Sequence, residues 1–229
     1  MAKYSIGVDY GTLSGRALIV NNETGEELAS SVYEYPHSVM SECLPSGKKL
    51  GLDWALQHPQ DYLDVLYNTI PAVLRESGVS KDDVVGIGLD FTACTILPAK
   101  KDGTPLCFIE EYKDEPHAYV KLWKHHAAQR QADEMTRVAL ERSEPWLSAY
   151  GGKVSSEWSF PKLWQVLDEA PEIYDAMDGW VELDMMEESW RIYILMIFLT
   201  FISWPGTARR TRWWRWSCPP TSPRPCWWI

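Results

Sequence analysis

The sequence predicts an α/β fold, a mixed sheet with flanking helices. The first observation is that three short runs rich in apolar and β-branched residues, 4–9, 15–20 and 26–35, follow one another closely. Such runs predict consecutive strands that are antiparallel neighbours. The second observation is that a helical pattern, one further apolar run and two longer helical patterns come next. This order of elements suits an α/β domain.

The elements after the third strand are predicted from periodicity and turn residues. A helix is expected from residue 58, because its apolar residues fall on one face, and Pro71 predicts a kink in it. The run 84–90 is nearly all apolar and predicts a strand buried on both faces. The remaining predictions are a hairpin over 95–99 and 104–108 and two helices over 117–141 and 161–177.

Charge and cysteine usage narrow the class of protein. The chain has a formal charge of −10 and a pI near 5.0, which argues against nucleic acid or an anionic membrane as the main partner. The five cysteines form no Cys-x-x-Cys pair. The histidines show no ligand-like spacing except at His125 and His126, which we expect on a helix surface. No apolar signal core follows Met1. A reduced, cytoplasmic protein is the simplest interpretation.

The composition changes after Leu183, where we place a domain boundary. Residues 1–190 carry a charge of −16, whereas residues 191–229 carry six arginines, no acid and a charge of +6. The uncharged run 192–204 is shorter than the roughly 20 residues that a membrane helix needs. We interpret 1–183 as one domain and 184–229 as a tail from out-of-frame translation, disordered or artefactual. The alternative is a tail that binds a membrane or a partner.

The turn between the first two predicted strands is the sharpest candidate site. Gly11 allows the backbone to approach an anion, and successive N–H groups in a tight turn form an anion-binding nest. Thr12 and Ser14 add hydroxyl donors. Asp9 ends a strand and could hold Mg²⁺ through a water molecule, because Mg²⁺ prefers carboxylates and retains waters. An ordinary hairpin turn uses the same residue types, so the turn alone leaves both interpretations open.

Five segments, taken in order, favour the binding site over the plain turn. They are 7–16, 58–62, 86–95 (which includes Asp-Phe-Thr-Ala-Cys-Thr), 122–126 and 150–158 (which begins Tyr-Gly-Gly-Lys). The strand, Asp-x-Gly-Thr and strand at the start resemble the opening of actin-like (ribonuclease H-like) ATPase domains. The five segments together resemble the FGGY carbohydrate kinases and, within that family, the ribulokinase group, over about residues 4–183.

The resemblance implies an ATP- and Mg²⁺-dependent kinase that phosphorylates the C5 hydroxyl of L-ribulose in arabinose catabolism. Its implied cofactor-binding residues are Asp9, Gly11, Thr12, Leu13, Ser14 and Arg16, with Asp9 near the metal. Its implied sugar-binding residues are Thr92, Ala93, Trp123 and Lys124. Since Trp123 and Lys124 fall in a predicted helix, a core tryptophan and a solvated lysine are the structural alternatives.

Two roles cannot be assigned from the resemblance. The family draws its general base and its adenine site from a second domain, so no catalytic residue is named in this chain. We therefore expect the 229-residue polypeptide to be inactive as a kinase, and an oligomer remains possible for the intact protein. The alternatives are another kinase of this family, acting on xylulose or glycerol, and a non-catalytic protein that uses its tail for membrane or partner binding.

Overall fold

The structure, a computed structural model, describes residues 3–183. Its strands are β1 (Tyr4–Tyr10), β2 (Ser14–Asn21), β3 (Glu27–Glu34), β4 (Leu56–Gln57), β5 (Val84–Phe91), β6 (Ile96–Ala99), β7 (Val120–Lys121) and β8 (Gly179–Glu182). Its α-helices are α1 (Pro59–Ser77), α2 (Gln129–Glu141), α3 (Trp146–Ala149), α4 (Ser159–Glu169) and α5 (Pro171–Ala176). The predicted tail, 184–229, lies outside the described residues. Within 3–183 no helix is both long enough and apolar enough to cross a bilayer.

The first sheet has the strand order β3-β2-β1-β5. Strands β1, β2 and β3 are antiparallel neighbours, as predicted, whereas β5 lies parallel to β1. One face of this sheet packs against α1, where Ile6, Val8 and Ile19 form a core with helix residues such as Val65. Because β1 and β5 are parallel, the loops that follow them leave the same edge of the sheet.

Strand β5 corrects one prediction. We expected it to be buried on both faces, but within residues 3–183 it is the edge strand, and one of its faces is open. Ile87 and Leu89 pack against the core, whereas Gly86, Gly88 and Asp90 are exposed. The run looked continuously apolar because glycines fill the outer face, and a glycine says nothing about burial.

The second sheet has the order β4-β7-β6-β8 and is antiparallel throughout. Its core includes Leu56 and Ala118 together with Val166 of α4 and Ile173 of α5. Helix α1 runs without interruption through Pro71. The predicted helix over 161–177 is instead two helices, because Pro171 has no N–H to continue the hydrogen bonding of α4 and begins α5.

The predicted helix over 117–141 is wrong in its first half. Pro116–Ala118 is a 3₁₀ turn, β7 follows it, and α2 begins only at Gln129. Lys121 pairs with Leu56 and Ile96 across the sheet, so this segment is strand and loop. Trp123 and Lys124 therefore lie in the loop after a strand and not on a helix.

The predicted hairpin after residue 95 is half correct. Its turn is present, with the N–H of Lys100 donating to the carbonyl of Thr104 at 2.9 Å. The expected second strand is a single bridge from Ala99 to Pro105 followed by the 3₁₀ turn Leu106–Phe108. Pro105 lacks the N–H that a paired strand would require.

Candidate functional site

The loop between β1 and β2 has its carbonyl groups held in place. The hydroxyl of Tyr35 donates to the carbonyl of Gly11 at 3.1 Å, and the N–H of Tyr35 donates to the carbonyl of Leu13 at 2.9 Å. The side-chain amide nitrogen of Gln57 donates to the carbonyl of Thr12 at 2.8 Å. No hydrogen bond within residues 3–183 uses the N–H groups of Thr12 and Leu13. The loop is thus anchored through its carbonyls and offers two N–H donors.

Gly11 gives this loop its tight shape. Its N–H donates to the carbonyl of Ser14 at 2.9 Å, which closes the turn. A Cβ at Gly11 would lie 3.1 Å from that same oxygen, tighter than nine in ten real Cβ contacts. Burial raises the pKa of Tyr35, so its hydroxyl stays protonated and continues to donate. Residues Gly11 to Leu13 therefore form a narrow, fixed cradle with the chemistry of an anion site.

The two carboxylates of Asp9 and Asp90 lie side by side next to this loop. Asp9 is in register with Asp90 on β5 and with Arg16 on β2, and all three are exposed. With Gly7 and Leu18 they line an open groove of about 320 Å³ on the uncovered face of the sheet. Asp90 was missed by sequence reasoning. A signal was available, because Gly-Leu-Asp at the end of β5 repeats the Gly-Val-Asp at the end of β1.

The loop after β5 contains the predicted sugar-binding residues Thr92 and Ala93. The hydroxyl of Thr92 lies 2.7 Å from the hydroxyl of Thr95, and Ala93 is exposed. Cys94 has a φ of 57°, in the left-handed region that residues other than glycine seldom adopt. Its N–H donates to a carboxylate oxygen of Glu182 at 2.5 Å. The loop is therefore held in an uncommon backbone conformation by a charged partner.

Trp123 connects the loop after β7 with the loop between β1 and β2. Its indole N–H donates to the hydroxyl of Thr12 at 3.2 Å, although the residue is still 39% exposed. Lys124 follows it and is partly buried. On the sheet side, the rings of Tyr10 and Phe91, which end β1 and β5, stack with centroids 4.2 Å apart. The structure thus brings the residues predicted for the cofactor, together with Thr92, Ala93 and Trp123, to one edge of the first sheet.

Neither histidine of the pair lies on a helix, and only His126 is exposed as expected. We predicted His125 on a helix surface, but it is fully buried, because it lies in the loop after β7. Its ring is 2.9 Å from the side-chain oxygen of Gln165 and accepts from the N–H of Ala55 at 3.3 Å. Burial, with the neighbouring Lys121, lowers its pKa, so it stays neutral. Within residues 3–183 no group of three potential ligands is arranged to hold a metal.

Comparison with known proteins identifies the family. Residues 4–196 match the FGGY family of carbohydrate kinases, N-terminal domain. The chain is 55% identical over 181 residues to the ribulokinase of Halalkalibacterium halodurans, covering 79% of this chain and 32% of that protein. It is 54% identical over 182 residues to the ribulokinase of Mycolicibacterium smegmatis, again covering 79% of this chain and 32% of the relative. The chain therefore spans about a third of the length of these curated relatives.

Solved structures share the fold at low sequence identity. The xylulose kinase of Rhodospirillum rubrum superposes with a TM-score of 0.61 at 16% identity, covering 80% of this chain and 33% of that one. A xylulose kinase from Brucella ovis gives a TM-score of 0.59 at 18% identity, covering 83% and 34%. The predicted actin-like ATPase fold is therefore confirmed. By its family match and its fold, this chain belongs to the FGGY family of carbohydrate kinases, of which residues 4–196 match the N-terminal domain.

Proposed function

We propose that this chain carries the phosphate loop and one wall of the sugar pocket of an ATP-dependent L-ribulokinase. The reaction would transfer the γ-phosphoryl group of ATP to the C5 hydroxyl of L-ribulose. Phosphoryl transfer depends mainly on holding donor and acceptor in line and on neutralising charge. These are tasks that two fixed loops and a metal can perform.

The observation that carries the proposal is the hydrogen bond from Trp123 to Thr12, 3.2 Å long. It links a residue of the candidate sugar wall directly to the anion cradle. The loop that contains Thr92 and Ala93 begins at the same edge of the sheet as the anion cradle, because β5 is parallel to β1. A phosphate in the cradle and a sugar hydroxyl beside Trp123 would therefore be neighbours.

The residues present fit the phosphates of ATP. The N–H groups of Thr12 and Leu13 have no hydrogen-bond partner within residues 3–183 and can donate to an anion, and a Cβ at Gly11 would crowd the carbonyl of Ser14. The hydroxyls of Thr12 and Ser14 add donors on the same loop, and Arg16 lies on the adjoining strand face. An arginine there would draw a negatively charged ligand toward the loop.

The carboxylates fit Mg²⁺ bound through water. Asp9 and its register partner Asp90 are both exposed at the carboxyl edge. A magnesium ion retains several waters and usually takes one or two carboxylates plus substrate phosphates. When bound, the ion would neutralise charge on the phosphates. Asp9 would orient its water, as the resemblance implies, and Asp90 would add a second acceptor.

The choice of sugar rests on the relatives. Several proteins that are about 55% identical to this chain are named ribulokinase. The superposed xylulose kinases, at 16% and 18% identity, support only the fold. L-Ribulose is therefore favoured over xylulose and glycerol. A cytoplasmic location is part of the proposal, since Cys43 and Cys107 form no disulfide, as is usual in the reducing cytosol.

Ligand-detected NMR tests the sugar wall. Saturation transfer from the wild-type chain to L-ribulose is expected, with weaker transfer to D-xylulose and glycerol. Ala93→Trp fills the exposed position beside Thr92 and is expected to abolish the transfer, because the new ring would occupy the sugar's place. Ala149→Trp, at an exposed residue of α3, is the matched control and should behave as wild type. Equal transfer in all three proteins would contradict the proposal.

We do not expect this chain by itself to catalyse the phosphorylation of L-ribulose. The resemblance assigns the general base and the adenine site to the family's second domain, and the match covers the N-terminal domain. We therefore predict binding of L-ribulose without ATP-dependent formation of ADP. A coupled assay for ADP with the purified polypeptide checks this, and sugar-dependent ADP release would show that the chain itself supplies a base.

A further inference from the structure

One buried lysine contacts both parts of the candidate sugar wall. Lys162 of α4 is fully buried. Its ammonium donates to the carbonyl of Cys94 at 2.7 Å and to the carbonyl of Leu122 at 2.9 Å. Cys94 closes the loop that carries Thr92 and Ala93, and Leu122 directly precedes Trp123. A single charged group therefore ties together two segments that are far apart in sequence.

The backbone conformation at Cys94 needs stabilising contacts of this kind. The left-handed φ of Cys94 is strained for a residue with a Cβ, and such strain persists only where the surroundings determine the conformation. Here the N–H of Cys94 is held by the carboxylate of Glu182 and the carbonyl by the ammonium of Lys162. Both peptide groups of the strained residue are thus fixed by charge-assisted hydrogen bonds, which are roughly twice as strong as neutral ones.

The hydrogen bond from Lys162 to the carbonyl of Leu122 also links this lysine to the loop between β1 and β2. Leu122 is fully buried and cannot shift freely, so Trp123 leaves the core in a fixed direction. The indole of Trp123 then reaches the hydroxyl of Thr12. Through Leu122 and Trp123, the position of Lys162 is coupled to the cradle as well as to the Cys94 loop.

A neighbouring lysine shows that burial alone does not produce this arrangement. Lys121 of β7 is also fully buried. Among residues 3–183, the one hydrogen-bond acceptor of its ammonium is the side-chain oxygen of Gln165, at 3.4 Å, and the ammonium lies 4.4 Å from the ring centre of Trp54. None of its hydrogen bonds in this part of the chain reaches either loop. Lys121 is therefore a matched control for the removal of a buried charge from the same part of the core.

We propose that Lys162 is a positioning residue for the sugar site, which sets the spacing between the Thr92–Ala93 loop and Trp123 by holding the carbonyls of Cys94 and Leu122. It contacts no substrate itself. The proposal rests on the function proposed above, because it assumes that these two segments form the sugar wall.

The test compares wild type with Lys162→Met, which keeps an unbranched side chain one atom shorter and removes the donors, and with Lys121→Met. One measurement, made without any sugar, is deuterium exchange at the Cys94 amide. The other is L-ribulose affinity from saturation-transfer NMR. We expect Lys162→Met to speed the exchange and to weaken L-ribulose binding, each by at least roughly tenfold, the size expected for the loss of a charge-assisted hydrogen bond. Lys121→Met should change neither.

The outcomes separate the two proposals. If folded Lys162→Met matches Lys121→Met in both measurements, the positioning role is overturned. If wild type binds no L-ribulose, the proposed function fails and the sugar role of Lys162 fails with it, while faster exchange in Lys162→Met would still show that the lysine holds the loop. Lys162→Gln, which keeps one donor group, is expected to be intermediate, and it decides the matter if Lys162→Met does not fold.

Discussion

At the scale of single residues, Gly15 decides how closely α1 approaches the first sheet. A Cβ at this position would lie 2.5 Å and 2.6 Å from the two methyl carbons of Val65. Neither methyl group can move far, because Val65 is fully buried in the main core. The absence of a side chain at Gly15 is therefore what allows α1 to lie so close to the start of β2.

Gly15→Ala should destabilise the chain by about 1–3 kcal/mol, the usual cost of overpacking a close-packed core. Urea unfolding followed by circular dichroism measures the change. Gly7→Ala is the matched control, since a Cβ there has its nearest neighbour at 3.8 Å and should cost less. Adding Val65→Ala should recover part of the Gly15→Ala loss. A Gly15→Ala protein as stable as Gly7→Ala would refute this account of the packing.

At the scale of elements, β7 and α4 bury two ammonium groups between them. Burial lowers the pKa of Lys121 to about 7 and the pKa of Lys162 to about 8. Both values lie below those of the unfolded chain, so between about pH 7 and pH 10 the unfolded state binds more protons than the folded state. The free energy of unfolding therefore rises with pH across this interval.

Lys121→Met is expected to remove part of that pH dependence. At pH 7 the variant should be more stable than wild type by on the order of 1 kcal/mol, because it no longer buries an amine that is protonated when unfolded. The advantage should shrink as the pH approaches 10. Gln165 keeps its contact with His125 in the variant, so no acceptor is left without a partner. Chemical unfolding at pH 7 and pH 9.5 checks this, and an advantage that grows with pH would contradict it.

Strand β7 shows why the prediction from sequence failed in this region. We predicted a helix over 117–141, which includes the three residues Val120, Lys121 and Leu122. In the structure all three residues are buried, since Lys121 lies over Trp54 and the strand is enclosed on both sides. A buried lysine cannot be recognised from the pattern of apolar residues, because a lysine is expected to be exposed. The role of Lys162 was invisible for the same reason, whereas β1 and β2, with alternating burial, were predicted within one residue or so.

At the scale of the whole molecule, the sequence predicted the two loops of the candidate site but not the distant residues that hold them in place. Asp9, Gly11 and Thr12 stand in a local motif, so the sequence itself marks them. Gln57, Glu182 and Lys162 hold the loops from distant parts of the chain, and only the fold reveals such contacts. Residues 3–183 present this edge together with an open sheet face, and the chain covers about a third of its relatives.

The most direct measurement is amide and indole chemical-shift mapping with Mg–ATP and L-ribulose added separately. If the account is correct, Mg–ATP shifts the amides of Thr12 and Leu13 first, and L-ribulose shifts the Ala93 amide and the indole N–H of Trp123. Both sets of signals then belong to one edge of the first sheet. If neither ligand perturbs these four signals, or if both perturb only residues away from the two loops, the assignment of this edge as a kinase site is wrong.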